Sequence, residues 1–186
     1  MGFHTFDAGK AANLEDTARL EYVSVDELLA LFDHRGAVAD LGSGTGFYTD
    51  YVAPYPETLY AVDVQPAMHE FYREKGAPAN VSFVTAEVAE LPFGDDSLDG
   101  AFSTMTYHEF AGETAHAELA RVLAPGGRVG VADWSREGKG ESGPPRSERY
   151  ALADAREAFE QAGFAVEYGN ERRETFVLSA SLELDE

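Results

Sequence analysis

Cysteine is absent from the 186 residues, which excludes disulfides, thiolate metal sites and any cysteine nucleophile. Lysine is nearly absent too: only Lys10, Lys75 and Lys139 stand among 14 cations, against 34 Asp and Glu, for a formal net charge of −20. No apolar run approaches the roughly 18 residues of a membrane span, so no membrane partner is expected. The opening MGFHTFDAGK lacks the basic-then-apolar pattern of a secretory signal, and the expected location is the cytoplasm. Repeats and low-complexity blocks are missing as well.

So negative a surface repels phosphate backbones at ordinary salt, and no nucleic-acid partner is expected. The acidic residues are spread through nearly every segment instead of forming a tail. That distribution suits a halophile's cytoplasm, since the Debye length falls to about 3 Å at 1 M salt and surface repulsion is screened.

The chain does have enough apolar residues, 44%, to build a core for one domain of this length. Up to Arg35 the punctuation is helical: Ser24 precedes Val25-Asp26-Glu27 with a capping-box spacing. From Gly36 the texture changes. Short β-type runs at Ala37–Leu41, Leu59–Asp63, Val81–Thr85, Leu98–Thr104 and Arg128–Asp133 alternate with helical stretches, among them Ala115–Leu123 and a helix from about Ser147 to Ala162. Alternation of this kind implies crossover units and a mostly parallel sheet. Phe164–Tyr168 and Thr175–Ala180 are too close for a crossover and read as a hairpin. The expected fold class is α/β: Rossmann-like, a seven-stranded mostly parallel sheet with helices on both faces and a C-terminal antiparallel hairpin. Residues 1–35 form an N-terminal helical cap segment and residues 36–186 the main domain. Ser135–Pro145, rich in glycine and proline, leaves the ligand side of the sheet and reads as a surface linker or as a lid.

The central motif is Asp40-Leu41-Gly42-Ser43-Gly44-Thr45-Gly46-Phe47, where an apolar strand gives way to a helix. Glycines there allow unusual φ angles and close approach of backbone to ligand. Free N–H groups at the helix start favour an anionic group. A nicotinamide-binding loop wants G-x-G-x-x-G or Ala, but Phe47 holds that third position and would obstruct packing under a pyrophosphate. Asp63 closes the second strand about 20 residues downstream, where a carboxylate can accept both hydroxyls of a ribose or cap the helix at Pro66.

Across VADLGSGTGFYT (38–49), YAVDVQPAM (60–68), VTAEVAELPFGDDSLDGAFSTMTYHEF (84–110) and ARVLAPGGRVGVADW (120–134) the chain resembles the class I S-adenosylmethionine-dependent methyltransferases. Among them it resembles the branch that includes ubiquinone/menaquinone-biosynthesis methyltransferases. The stretches cover about half the chain, in the family's order, and speak to fold and cofactor but not to substrate. The resemblance implies S-adenosyl-L-methionine as cofactor. By position it implies that the Asp40–Gly46 loop (Asp40, Gly42, Ser43, Gly44, Gly46) wraps the methionyl part, with Asp40 near the amino group. Asp63 would hold the ribose, and Val64 and Met68 would flank the adenine. Glu87 and Val88 fall where the adenine amino group is held, glutamate replacing the family's frequent aspartate. Ser103 and Met105 would line the path to the substrate.

Methyl transfer needs orientation more than acid–base help, and a base only where the acceptor is protonated. His108 is the base candidate, with Glu109 to orient it and Tyr107 to face the substrate; a packing or capping role for His108 is the alternative. No metal is expected: after the fourth and fifth strands only Asp133 offers a carboxylate, and the histidines lack ligand spacing. The Asn/Asp-Pro-Pro-aromatic signature of amino-group methylases is absent, and the missing cysteine excludes attack on cytosine C5. Arg146 and Arg149 could bind an anionic acceptor or serve as surface charges. His4, Phe6, Tyr22 and Tyr48 could close over the pocket, and Trp134 could be pocket wall or core. The expected function is methylation of a small-molecule acceptor. Alternatives are a non-catalytic S-adenosylmethionine-binding regulatory module and a nicotinamide oxidoreductase.

Overall fold

The computed structural model describes residues 6–183. Its strands are β1 (Ala37–Leu41), β2 (Thr58–Asp63), β3 (Val81–Thr85), β4 (Leu98–Thr104), β5 (Leu123–Trp134), β6 (Phe164–Glu171) and β7 (Thr175–Leu182). They form one sheet in the order β3-β2-β1-β4-β5-β7-β6. Neighbours from β3 to β5 are parallel, and β7 runs antiparallel to both β5 and β6. The chain builds outward from β1 in both directions, so a crevice opens beyond the carboxyl ends of β1 and β4.

Six α-helices flank the sheet: α1 (Val25–Leu29), α2 (Phe47–Val52), α3 (Pro66–Lys75), α4 (Tyr107–Phe110), α5 (Glu113–Val122) and α6 (Leu152–Gln161). Period-two alternation divides the buried strand residues between the two faces. Val38, Phe102, Ala132 and Val177 pack with Phe32 and Val52 on one side. Their neighbours Ala39, Ala101, Val131 and Leu178 pack with Leu119 and Phe159 on the other. Central strands buried on both faces explain why their sequences read as continuous apolar runs.

Several boundaries differ from expectation: β6 and β7 run on to Glu171 and Leu182, and three others differ more. The N-terminal segment contains two 3-10 stretches, Ala8–Glu15 and Thr17–Glu21, before the five-residue α1. The side chains of Asp7 and Asp16 accept from the N–H two residues on, at 2.9 Å each, a local bond that favours turns over regular helix. The helix expected from Ser147 begins at Leu152, where Asp154 accepts the Ala151 N–H at 2.7 Å. β5 starts at Leu123, ahead of the Pro125–Gly127 turn, because Leu123 already pairs with Leu98 before the register shifts.

Candidate active site

A cavity of about 1080 Å³ lies at the carboxyl ends of β1, β2, β4 and β5. Gly42, Ser43, Gly44, Asp63, Val64, Met68, Glu87, Val88, Met105, His108 and Glu109 line it. Two glycines of the loop have no room for a side chain. Gly42 sits at φ +80°, and a Cβ there would stand 2.2 Å from Thr106 Cγ2. Gly46, at φ +82°, would place a Cβ 2.2 Å from the Tyr72 ring.

Asp63 fastens this loop from the next strand. One carboxylate oxygen accepts the Gly44 N–H at 2.8 Å and the other the Gln65 N–H at 2.9 Å. Each oxygen keeps a lone pair for a ligand hydroxyl. Asp40 and Gly46 lie behind the lining. Asp40 is buried; its Oδ2 accepts from Thr49 at 2.6 Å, while Oδ1 has no partner. Burial pushes its pKa up to about 7, against the pull of Thr49 and Arg19. The Ser43 hydroxyl also lacks a partner among the described residues. Met105 holds φ +58°, a left-handed conformation a non-glycine residue rarely adopts, and its N–H bonds Ala132 O at 2.7 Å.

On α4, His108 is buried beside a fully buried Asp133 at the end of β5. Asp133 accepts the His108 backbone N–H at 2.6 Å and faces Nδ1 at 3.0 Å. A carboxylate can only accept, so Nδ1 carries the proton and Nε2 is left as an acceptor. Burial pulls the His108 pKa down, but the charge and hydrogen bond of Asp133 outweigh it and the net shift is upward. Burial also raises Glu109 to about 7, with His108 opposing and the charges of Asp63 and Asp133 adding.

Two proposed roles need correction. Asp133, not Glu109, orients His108; successive helical residues point apart, whereas the end of β5 lies directly beside α4. Tyr107 does not face the cavity. It is packed in the core, its hydroxyl 2.9 Å from His116 Nε2 and its ring stacked on Phe159. Ser103 is buried in β4, outside the cavity lining, so of that pair only Met105 reaches the cavity. His4 lies outside the described residues.

Phe6, Tyr22 and Tyr48, expected over the pocket, do line it; Lys10, Asn13, Leu14 and Arg19 of the same N-terminal wall were missed by sequence reasoning. Ser135–Pro145 is pinned, not loose. Arg149 is buried, and its guanidinium donates to Pro144 O at 2.8 Å, to Ser135 O at 3.3 Å and to Ser142 O. Glu174 lies 3.6 Å from Arg149 and accepts the Gly140 N–H at 3.0 Å. Arg149 is therefore a structural clamp, whereas Arg146 is exposed. Tyr22 bonds Ser142 Oγ at 2.9 Å and meets Trp134 edge-on at 4.7 Å, so Trp134 is cavity wall. The only hint in the sequence was the position of this loop at the carboxyl end of a strand.

Residues 39–131 match a family model described as a methyltransferase domain. An S-adenosylmethionine-dependent methyltransferase from Aquifex aeolicus superposes with a TM-score of 0.85 at 29% identity, covering 96% of this chain and all of that one. An uncharacterized methyltransferase-like protein of Schizosaccharomyces pombe is 33% identical over 121 residues, 62% of this chain and 46% of its own length. The "Probable tocopherol O-methyltransferase, chloroplastic" of Oryza sativa subsp. japonica is 30% identical over 142 residues, 69% of this chain and 39% of that protein. The chain thus spans less than half the length of these two curated relatives.

Proposed function

Because the chain belongs to the methyltransferase-domain family, we propose that it methylates a small-molecule acceptor held against His108, with S-adenosylmethionine as methyl donor. The donor brings its own electrophile, a methyl group on a sulfonium sulfur. The residues present suit it. Gly42 and Gly44 keep the turn's backbone open to close approach, and the Asp40 Oδ1 and Ser43 hydroxyl, unpartnered among the described residues, await polar groups. Asp63 can take a diol. About 1080 Å³ stands at the upper end of the roughly 300–1,000 Å³ typical of ligand pockets.

The observation that carries the reading is the buried His108–Asp133 pair on the cavity wall. Nε2 of His108 takes the acceptor's proton, and Asp133 holds the ring and stabilises the imidazolium. Glu109, raised to about 7, supplies a protonated partner below neutrality. The apolar wall of Tyr22 and Trp134 and the tocopherol-named relative support a flat acceptor with an acidic hydroxyl. Residues 1–35 act as the cap and residues 36–186 as the catalytic domain. Spread over the whole chain, the net charge of −20 supports a protein adapted to high salt. Calorimetry with S-adenosylmethionine and S-adenosylhomocysteine tests the donor site, and methyl release with candidate phenols tests turnover. Binding without turnover on any acceptor would favour a regulatory module. An His108→Gln protein as fast as wild type would remove the base.

A further inference from the structure

Arg19 occupies an unusual place in this very acidic chain. It lines the cavity and is part-buried, its guanidinium 5.1 Å from the ring centres of both Phe47 and Tyr48. Among the described residues, its only side-chain hydrogen bond is to a neutral carbonyl, Leu14 O, at 2.7 Å. Among the described residues, each of the other 13 lysines and arginines either has a carboxylate within 4 Å or is exposed. Arg19 alone is sheltered and unpaired. Removing a charge from water is costly unless a counter-charge joins it, and two aromatic faces plus one carbonyl offset only part of that cost. With 34 acidic residues in the chain, a partner would have been easy to supply from within.

We propose that Arg19 is the carboxylate anchor of the cavity, its counter-charge being supplied by the ligand. The planar fork suits a carboxylate, which it can bind through two parallel hydrogen bonds. Its neighbourhood fits. The Ser43 hydroxyl in the same cavity has no partner among the described residues, and Lys10, a second lining cation, is exposed with no described carboxylate within 4 Å. Burial lowers the Arg19 pKa while Tyr48, Asp40 and Glu15 act at longer range to raise it, as expected of a cation lacking a close anion. Two sources can provide the carboxylate: the amino-acid tail of the donor, which rests on the reading above, or the acceptor.

Calorimetry on the full chain separates them, using S-adenosylhomocysteine, 5′-methylthioadenosine (the same nucleoside without the carboxylate) and benzoate added to the S-adenosylhomocysteine-loaded protein. If the donor tail is the source, Arg19→Gln weakens S-adenosylhomocysteine about 10- to 100-fold and leaves 5′-methylthioadenosine unchanged. If the acceptor is the source, Arg19→Gln leaves both nucleosides unchanged and abolishes the benzoate binding seen in wild type. Arg19→Lys keeps the charge without the fork and recovers part of whichever affinity was lost. Equal losses for both nucleosides would reduce Arg19 to a fold-holding role and overturn the proposal. Unchanged binding of all three probes would overturn it too, as would unchanged nucleosides with no benzoate binding in wild type. Wild-type protein that binds neither nucleoside fails the donor reading instead; benzoate offered to the unloaded protein then decides Arg19 by its loss or retention in Arg19→Gln.

Discussion

The two halves of the cavity are held together by different means. The half proposed to take the donor comes from one stretch of chain, Asp40 to Gly46, stitched to Asp63 by the Gly44 N–H, and neighbouring side chains fill the space where the Cβ atoms of Gly42 and Gly46 would stand. The proposed acceptor half gathers Tyr22, His108, Trp134 and Pro144 from four separate parts of the sequence. Ion pairs and side-chain hydrogen bonds, those of Arg149 and Asp133 above all, keep these pieces in place. Backbone shape thus fixes what the first half binds, whereas exchangeable side chains set what the second half binds. Acceptor chemistry should therefore change by substitution while donor affinity holds.

The largest expected effect is in the donor half. Gly42→Ala forces a Cβ into Thr106 and an unfavourable φ on alanine, at a cost of about 3 kcal/mol. S-adenosylhomocysteine binding should vanish in calorimetry, with a lowered Tm. Retained affinity would show that the loop adapts and that the halves are less different than their construction implies. Next is Asp133→Asn. Turnover should fall about 10²- to 10⁴-fold while donor affinity stays put, because Asp133 touches only α4 and its own strand neighbour among the hydrogen bonds of the site. The pH profile should move with it. His108 acts as a base only when neutral, so the wild-type rate climbs as pH rises through its raised pKa. Without the Asp133 charge that climb should shift to lower pH.

Dismantling the acceptor wall should cost stability rather than donor binding. Arg149→Met removes a buried guanidinium that holds three carbonyls and leaves Glu174 buried without it; about 2–3 kcal/mol is expected. Limited proteolysis should then cut within 136–145 while S-adenosylhomocysteine still binds.

The same division governs what the sequence made legible. The donor half could be read because its chemistry is local: D-x-G-x-G-x-G and an acidic residue one strand later are a spacing, and spacing survives in one dimension. The central strands were recoverable for a similar reason, since two-sided burial leaves apolar runs, whereas the partly exposed edge strands β3 and β6 were read from the alternation with helices and from a short hairpin connection. The acceptor half was read poorly because it is made by tertiary contact. His108 and Asp133 are 25 residues apart, and sequence adjacency pointed to Glu109 instead. Tyr107 looked like a cavity residue beside His108, but the helical turn sends it to His116 and Phe159 in the core. Arg149 looked like surface charge because only the fold brings Glu174 to it.

Smaller still is a pH effect on stability that separates the halves. Asp40 and Glu109 both have pKa values raised to about 7, chiefly by burial. Between the unfolded carboxylate range and 7, the folded chain therefore binds more protons than the unfolded one, so these groups lower stability as pH rises through that window. Asp40→Asn and Glu109→Gln should each flatten the fall in Tm between pH 5 and 7. Saturating S-adenosylhomocysteine should cancel the Asp40 part, by placing an ammonium beside its free oxygen, and leave the Glu109 part.

The least disruptive change tests whether the N-terminal strap belongs with the donor half. Glu15 accepts from Thr45 Oγ1 at 2.5 Å and pairs with Lys75 at 3.1 Å, and Lys75 also meets Asp50 at 2.8 Å. The Glu15–Lys75 pair is partly solvated, with side chains 30% and 22% exposed, so it is worth about 0–1 kcal/mol and is screened by salt. Glu15→Gln keeps an acceptor for Thr45 and removes the charge. Donor affinity should drop only about twofold at low ionic strength, and the difference should disappear in high salt. A loss beyond about tenfold, equivalent to 1.4 kcal/mol, that persists in salt would mean that the strap and the glycine loop act as one unit. In that case the donor half, like its neighbour, would depend on side chains recruited from elsewhere.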